Sequence, residues 1–170
     1  MTDGERTRLR RADRAMPGEA EIEDLLRRAP FGVTATSIDN QPFLHTSLFC
    51  YLPGQRRIYL HTALQGRTRD NILRNPRVCF SVAEIGRLLP ADTAMEFSNE
   101  YASVVAFGHA RLVTEDEEKR SGLQALLEKY FPERQSGRDY RPITLAELDR
   151  TSVFAIEIEE WSGKQKKVDP

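Results

Sequence analysis

From residue 31 to residue 113 the chain repeats one pattern: a short stretch rich in β-branched and aromatic residues, then a turn signal. FGVTATSI (31–38) runs into Asp39-Asn40-Gln41-Pro42, PFLHTSLFCYL (42–52) runs into Pro53-Gly54, and RRIYLHTA (56–63) follows. Such residues suit a pleated, half-buried surface, and tight turns join strands that pair antiparallel, so the pattern predicts a meander. RVCFSVAEI (77–85) and EYASVVAFGHARLV (100–113) add two strands, with a loop over 86–98 marked by Gly86, Pro90 and Asp92. Gly108 inside the second of these signals a bulge or bend, the device that lets a sheet curl. TSVFAIEIEEW (151–161) reads as the last strand, with Phe154, Ile156 and Ile158 on its core face and Val153, Ala155, Glu157 and Glu159 on the other. SGKQKKVDP then reads as a tail.

Helical periodicity is confined to a few places. Ile22, Leu25, Leu26 and Ala29 recur at helical spacing after Pro17, and the helix stops before Pro30. A short helix spans Arg67 to Arg74 and is ended by Asn75-Pro76. Thr114 and Glu117 have capping-box spacing ahead of a helix over 115–131, whose apolar face is Leu123, Leu126, Leu127 and Tyr130. A helical turn is expected near 144–149. About six strands with so few helices predict a mainly β fold: a closed or split antiparallel β-barrel with peripheral helices.

With 170 residues the chain has the length of one domain, read as 17–170 behind a polar arm over 1–16. Lysine and arginine number 25 against 26 acidic residues, so no global field recruits nucleic acid or an anionic membrane. The arm has a local surplus of about two positive charges, which is equally the mark of a solvated tail. A nucleic-acid-binding barrel would also need an exposed run of stacking aromatics, which the sequence lacks. No apolar run approaches the length of a membrane span, and the first residues lack the apolar segment of a secretory signal. Cys50 and Cys79, both in apolar strands, fit free buried thiols in a reducing compartment. The expected setting is the cytoplasm, with no membrane and no nucleic-acid partner.

The most informative stretch for chemistry is IYLHTALQGRTRDNILRNP. A strand ends in His61-Thr62, Gly66 permits a tight turn, and Arg67, Thr68 and Arg69 open a short helix. Free N–H donors, an arginine fork and a hydroxyl at one helix start make a phosphate cradle, though a polar strand–helix connection has the same residues. His45-Thr46-Ser47 places polar groups in an otherwise apolar strand, facing either a ligand or solvent. His45, His61 and His109 raise the question of a metal, but no CxxC, HExxH or His-x-His pattern accompanies them, so none is expected. No GxSxG elbow supports a serine nucleophile, and no GxxxxGK[ST] loop supports a nucleoside triphosphatase. Trp161 is the only tryptophan, suited to core, interface or a planar ligand, and Arg57 reads as a surface charge.

Taken in order, Gln41-Pro42, Ile58-Tyr59-Leu60-His61-Thr62-Ala63, Gly66-Arg67 and Asn75-Pro76-Arg77-Val78-Cys79-Phe80 resemble the pyridoxamine 5′-phosphate oxidase-like flavin-binding family, and within it the branch that includes the nitroimidazole-resistance proteins. Tyr101 to Val105 with Gly108, the Glu117-Glu118-Lys119 helix and Trp161-Ser162-Gly163-Lys164 extend the resemblance over nearly the whole chain. It implies a split β-barrel homodimer with FMN at the subunit interface. His45, Thr46, Ser47, Leu48 and Phe49 would run beside the isoalloxazine, and Leu60, His61 and Thr62 would line the site from the next strand. Gly66 and Arg67 would approach the phosphate. Ser103 stands where relatives place a polar flavin contact, and Trp161 and Lys164 would reach in from the C-terminal region, as residues of the partner subunit. Phe80, Val104 and Ala106 are candidates for the dimer face. The implied activity is an FMN-dependent oxidoreductase of small electrophiles such as nitroaromatics or quinones, with His61 as the tuning or proton-donating group. The alternative is a non-enzymatic flavin or tetrapyrrole binding or sensing protein. Relatives that oxidise pyridoxamine phosphate have an arginine near the place of His45, a Ser-Arg-Lys cluster where this chain has Gly66-Arg67-Thr68, and a C-terminal arginine–histidine motif that is missing here. That activity is therefore not expected.

Overall fold

The computed structural model describes residues 5–168. Its elements are α1 (Glu19–Arg28), β1 (Gly32–Ile38), β2 (Gln41–Ser47), β3 (Cys50–Leu52), β4 (Arg57–Thr62), α2 (Arg67–Arg74), β5 (Arg77–Leu89), β6 (Ser98–Leu112), α3 (Asp116–Tyr130), α4 (Leu145–Leu148) and β7 (Ser152–Lys166). The seven strands form one antiparallel sheet in the order β2-β1-β5-β6-β7-β4-β3.

That order forces closure. β2 and β3 lie at opposite edges, yet only Leu48 and Phe49 separate them in the chain. A flat sheet of this many strands would hold its edges about 29 Å apart. Three peptide units span at most about 11 Å. The sheet must therefore curl until its edges meet, which is the split barrel expected from the strand pattern. The joint is fixed from inside and from α3. Phe49 is fully buried and meets Phe80 edge to face at 4.8 Å. The Tyr130 hydroxyl accepts the Phe49 N–H at 3.1 Å and lies 2.8 Å from the Pro30 carbonyl, to which it donates. The Lys129 ammonium sits 3.6 Å from the centre of the Phe49 ring.

Local chemistry accounts for much of the rest. Asp39 and Asn40 both take positive φ, 51° and 61°, between the paired residues Ile38 and Gln41, the two-residue turn that matches strand twist. The predicted stripe of α1 is buried: Leu25 and Leu26 fully, Ile22 and Ala29 almost so. Gly108 is a bulge as expected. Phe107 pairs with Glu160 and Gly108 with Ile158, leaving Glu159 as the extra residue, and a Cβ on Gly108 would fall 2.0 Å from the Glu157 carbonyl oxygen.

Several expectations are corrected. The stretch 42–52 is two strands, so there is no continuous meander: the β1–β2 and β3–β4 hairpins sit at opposite edges of the sheet. β5 runs on to Leu89 and β6 begins at Ser98, because Leu88 and Leu89 of the supposed loop pair with Asn99 and Ser98 across the hairpin. The supposed tail is the second half of β7, paired with β6 as far as Lys166. Phe154, Ile156 and Ile158 do face the main core, but Val153 and Ala155 are buried too, in a second cluster with Cys50, Tyr59, Val113 and Leu126 beneath α3. Phe80, Val104 and Ala106 are not a surface for a partner: strand alternation turns them inward and they are at most 1% exposed. Thr114 and Glu117 form no capping box, since α3 starts from Glu115. The box that exists joins Thr144 and Glu147 at α4. Arg57 is no isolated surface charge, pairing with Glu157 at 2.7 Å beside Glu118, Tyr59 and Arg111. From residue 5 on, the arm lies along β7: the Met16 N–H reaches the Gly163 carbonyl at 3.0 Å, and Arg6 pairs with Glu160 and Glu159.

Gly108→Ala tests the bulge. Overpacking of this kind costs about 1–3 kcal/mol, and the contact lies at the severe end. Thermal melts should show a midpoint lower by roughly 5–10 °C; an unchanged midpoint would mean that the bulge has slack.

Candidate functional site

The curled sheet brings together segments that are far apart in strand order. The β3–β4 register pairs Cys50 with Tyr59. Carried back along the chain, it sets Leu48 beside His61 and Ser47 beside Thr62. Leu48 and His61 do line one cleft. On the other side, the β1–β2 register places His45 opposite Thr34, Ser47 opposite Gly32 and Phe43 opposite Thr36. Phe43, His45 and Ser47 share one face of β2; Leu44, Thr46 and Leu48 take the other and are exposed.

The first of these faces is unusual in its polarity. Thr34 is fully buried and its hydroxyl has no hydrogen-bond partner. Nor do the buried His45 Nδ1 and Ser47 Oγ, nor the Nε of Arg69 in the first turn of α2. Buried polar atoms are nearly always paired, so three unpaired on two facing strands point to a group that completes them. α2 packs against β1 here. Asn71 donates to the Thr36 hydroxyl at 2.8 Å, and the Arg67 guanidinium lies 5.2 Å over the Phe43 ring. Gly66 has φ 142° and ψ 159°, a conformation open essentially to glycine alone. No side chain caps the first turn of α2, so its free N–H groups and the Arg67 fork stand at the edge of the unpaired cluster.

The adjoining cleft encloses about 280 Å³ between β4, α3 and α4. Leu48, Leu123, Leu126 and Leu127 make its walls apolar, and His61, Tyr130 and Glu147 supply polar edges. His61 keeps contact with solvent, but the atoms packed round its ring desolvate it and lower its pKa below the ordinary histidine value. The ring is therefore neutral at pH 7. Behind Phe49, burial pulls the Lys129 amine down to about 8, and burial raises the Cys50 thiol to about 11. Both thiols are free.

Of the residues singled out in the sequence, His45 and Ser47 belong to the unpaired cluster, Gly66 and Arg67 stand at the start of α2 with Arg67 over Phe43, and Leu48 and His61 line the cleft on the other face of the strands. Phe49 and Leu60 are there too, but their side chains point into the core and leave only backbone groups to the site. Thr46 sits on the outer face of β2. Ser103 and Lys164 pair with each other on β6 and β7, away from the cluster. Trp161 stacks on the Arg56 guanidinium at 4.1 Å and meets Tyr51 at 6.1 Å. The three histidines occupy three different strands, and His109 contacts Glu159 at 2.6 Å. Among the described residues no group of three His, Cys, Asp or Glu side chains could hold a metal ion, and no helix is long and apolar enough to cross a membrane. Thr34 and Asn71 were not singled out. Thr34 looks like any strand threonine, and only the register shows that it faces His45.

A family model described as pyridoxamine 5′-phosphate oxidase matches residues 18–165, and the chain belongs to that family. No curated protein matches the sequence. Among solved structures, the flavocytochrome Anf3 from Azotobacter vinelandii is similar at 24% identity and a TM-score of 0.83, over 98% of this chain and 76% of that one. The FAD and heme binding protein from Mycobacterium smegmatis gives 24% and 0.81, over 92% and 75%. A protein assigned to 5-nitroimidazole antibiotic resistance from Bacteroides thetaiotaomicron gives 19% and 0.74, over 89% and 86%. At these identities the shared property is the fold.

Because the fold depresses the His61 pKa, the folded protein binds that proton less readily than the unfolded chain. Its contribution to stability is complete above the unfolded value, about 6.5, and is lost as pH falls below it. The His61 ring should titrate by NMR with a midpoint below 6.5, and His61→Gln should lose less stability than wild type between pH 7.5 and pH 5.

Proposed function

We propose that this protein is an FMN-dependent oxidoreductase acting on small, uncharged electrophiles such as nitroaromatics or quinones. The observation that carries the reading is the set of unpartnered buried polar atoms on Thr34, His45 and Ser47 beside the uncapped start of α2. They fit a flavin nucleotide. Arg67 and the α2 N–H groups would hold a single phosphate, a fork and a dipole of the right sign. Thr34, His45 and Ser47 would satisfy the polar atoms that follow, and the backbone of Phe49 and Leu60 would border the ring. One arginine fork and one short helix start match a terminal phosphate monoester better than an extended pyrophosphate, which favours FMN over FAD.

When bound, the flavin supplies the hydride and electron chemistry. The chain's own residues do the rest. Leu48 and the leucines of α3 exclude water from the cleft and select a flat apolar substrate. His61, neutral at pH 7 on the cleft wall, is placed to hold or pass a proton at its ring nitrogen. His45, near the place where relatives that oxidise pyridoxamine phosphate have an arginine, argues against pyridoxamine phosphate as substrate.

The reading includes a homodimer. Strand alternation gives the sheet an outer face of Val33, Ala35, Ser81, Val105 and Phe107, small or apolar residues left half-exposed in the single chain. Ser103 and Lys164 lie on this face. A second copy packed there would bring them toward its neighbour's flavin.

A second reading has its own observation. A histidine on the wall of a leucine-lined cleft would also suit a metal tetrapyrrole, which His61 would hold by a ring nitrogen, and two of the similar structures are a flavocytochrome and an FAD and heme binding protein. That protein would bind or sense rather than turn over.

Titration with FMN, followed by flavin fluorescence, should show binding that Arg67→Ala weakens about 10- to 100-fold, the worth of a charge-assisted hydrogen bond. Unchanged affinity would remove Arg67 from the phosphate site, and tighter binding of FAD would reverse the choice of nucleotide. Turnover of a reduced nicotinamide with a nitroaromatic or quinone acceptor would support the enzyme. A Soret band on adding haem that His61→Ala abolishes, without turnover, would support the second reading.

A further inference from the structure

Lys129 is a nucleophile with no part in the flavin site. It stands in the last turn of α3, half-buried. Its Nζ lies 3.6 Å from the centre of the Phe49 ring and 5.3 Å from that of Tyr130. Its hydrogen bond to the Leu26 carbonyl of α1 is long, 3.5 Å, and no carboxylate pairs with it among the described residues. Ring faces and one long bond replace water poorly, so burial pulls the amine down to about 8. About a quarter of it is then neutral at pH 7.5, against about one part in a thousand for a lysine in water. Only the neutral amine has a lone pair to attack with, and desolvation is a recognised way to free one.

The amine can also be reached. A cleft of about 350 Å³ opens between α1, β3 and α3, and Lys129 lines it together with Arg27, Cys50, Tyr51 and Glu128. None of these groups gives the ammonium a partner. Arg27 on α1 is exposed, 4.0 Å from Asp24, and Glu128 is exposed beside Lys129. The Cys50 thiol on β3 is kept neutral, since burial raises it to about 11. The Tyr51 hydroxyl donates to Glu23 at 2.8 Å, and that of Tyr130 donates to the Pro30 carbonyl at 2.8 Å. A recessed amine suits a small donor better than the active site of a second protein, which needs the lysine extended. Arg27 gives the cleft a guanidinium for a phosphate group.

We propose that Lys129 is an acylation site, its amine taking the acyl group of a small acyl phosphate that enters the cleft between α1, β3 and α3. The lone pair of Nζ attacks the acyl carbon. A C–N bond forms as the bond from that carbon to the phosphate oxygen breaks, and the phosphate leaves with the electron pair and takes up the proton released by nitrogen. Nothing is oxidised or reduced. The product amide is uncharged, so the burial that disfavours the ammonium accepts it. The reaction needs only the amine and the cleft and is independent of any flavin.

The test incubates the full chain with acetyl phosphate between pH 6.5 and pH 10 and follows each lysine by peptide mass spectrometry. At pH 7.5 Lys129 should react about tenfold faster, or more, than Lys167, which is exposed just past β7. The Lys129 rate should level off above about pH 8. A bulky reagent, a biotinylated succinimidyl ester on a long spacer, should reverse the order, because it cannot enter the cleft. Arg27→Gln should slow acetylation of Lys129 and leave that of Lys167 unchanged. Equal rates at the two lysines, a Lys129 rate that climbs unbroken to pH 10, or a Lys129 that also leads with the bulky ester would each overturn the assignment. An Arg27→Gln chain acetylated at the wild-type rate would overturn acyl phosphate as the donor.

Discussion

The structure depends on a two-residue joint. Leu48 and Phe49 connect strands at opposite edges of a seven-stranded sheet, so the sheet has to be a barrel before any side chain is considered. The joint also decides what meets what. It sets the polar end of β2 against the end of β4, makes Leu48 the shared wall of two structural regions, and gives Tyr130 and Lys129 of α3 a backbone and a ring to hold. Without closure, His45 and His61 would stand on strands separated by four others.

Two polar groupings show how differently the same residue types can be used. Around Arg57, every charge is met: Glu157 at 2.7 Å, Glu118 accepting from Tyr59 at 2.7 Å, and Arg111 closing the set at Glu118. Those contacts lower the Glu118 pKa. Around Thr34 the reverse holds, with hydroxyls and an imidazole nitrogen buried and unmet. A complete network specifies packing, whereas the unmet atoms next to a helix start and an arginine are those the proposed flavin would satisfy. That contrast lies in the arrangement, since both groupings draw on ordinary strand and helix residues.

Much of the fold was legible. The α1 stripe, the Asp39-Asn40 turn and the Gly108 bulge are local signals, each readable because one residue type has one physical use at that place. What escaped depends on distant partners. Arg87 disguises the end of β5 as loop, because its partner, Glu100, lies elsewhere in the chain. Val153 and Ala155 looked solvent-facing because α3, which covers them, is remote in sequence. Thr114 and Glu117 had the spacing of a cap, but Glu115 took the position. The site followed the same rule: Arg67, Gly66 and His61 stand out in a strand–turn–helix motif, while Thr34 acquires meaning only through its register with His45. The comparison with known proteins settled the family and left the ligand to these residues.

β7 is the last strand of the sheet in sequence and occupies its interior, between β6 and β4. It mates with Tyr101 through Leu112 on one side and with Arg57 through Thr62 on the other. During synthesis, then, the β1–β2 and β5–β6 ladders can form early, but β4 waits with an unpaired edge until β7 leaves the ribosome. Barrel closure is postponed until β7 has been made, and the contacts that complete it have high sequence separation, the regime of slow folding and of intermediates that need shielding from one another.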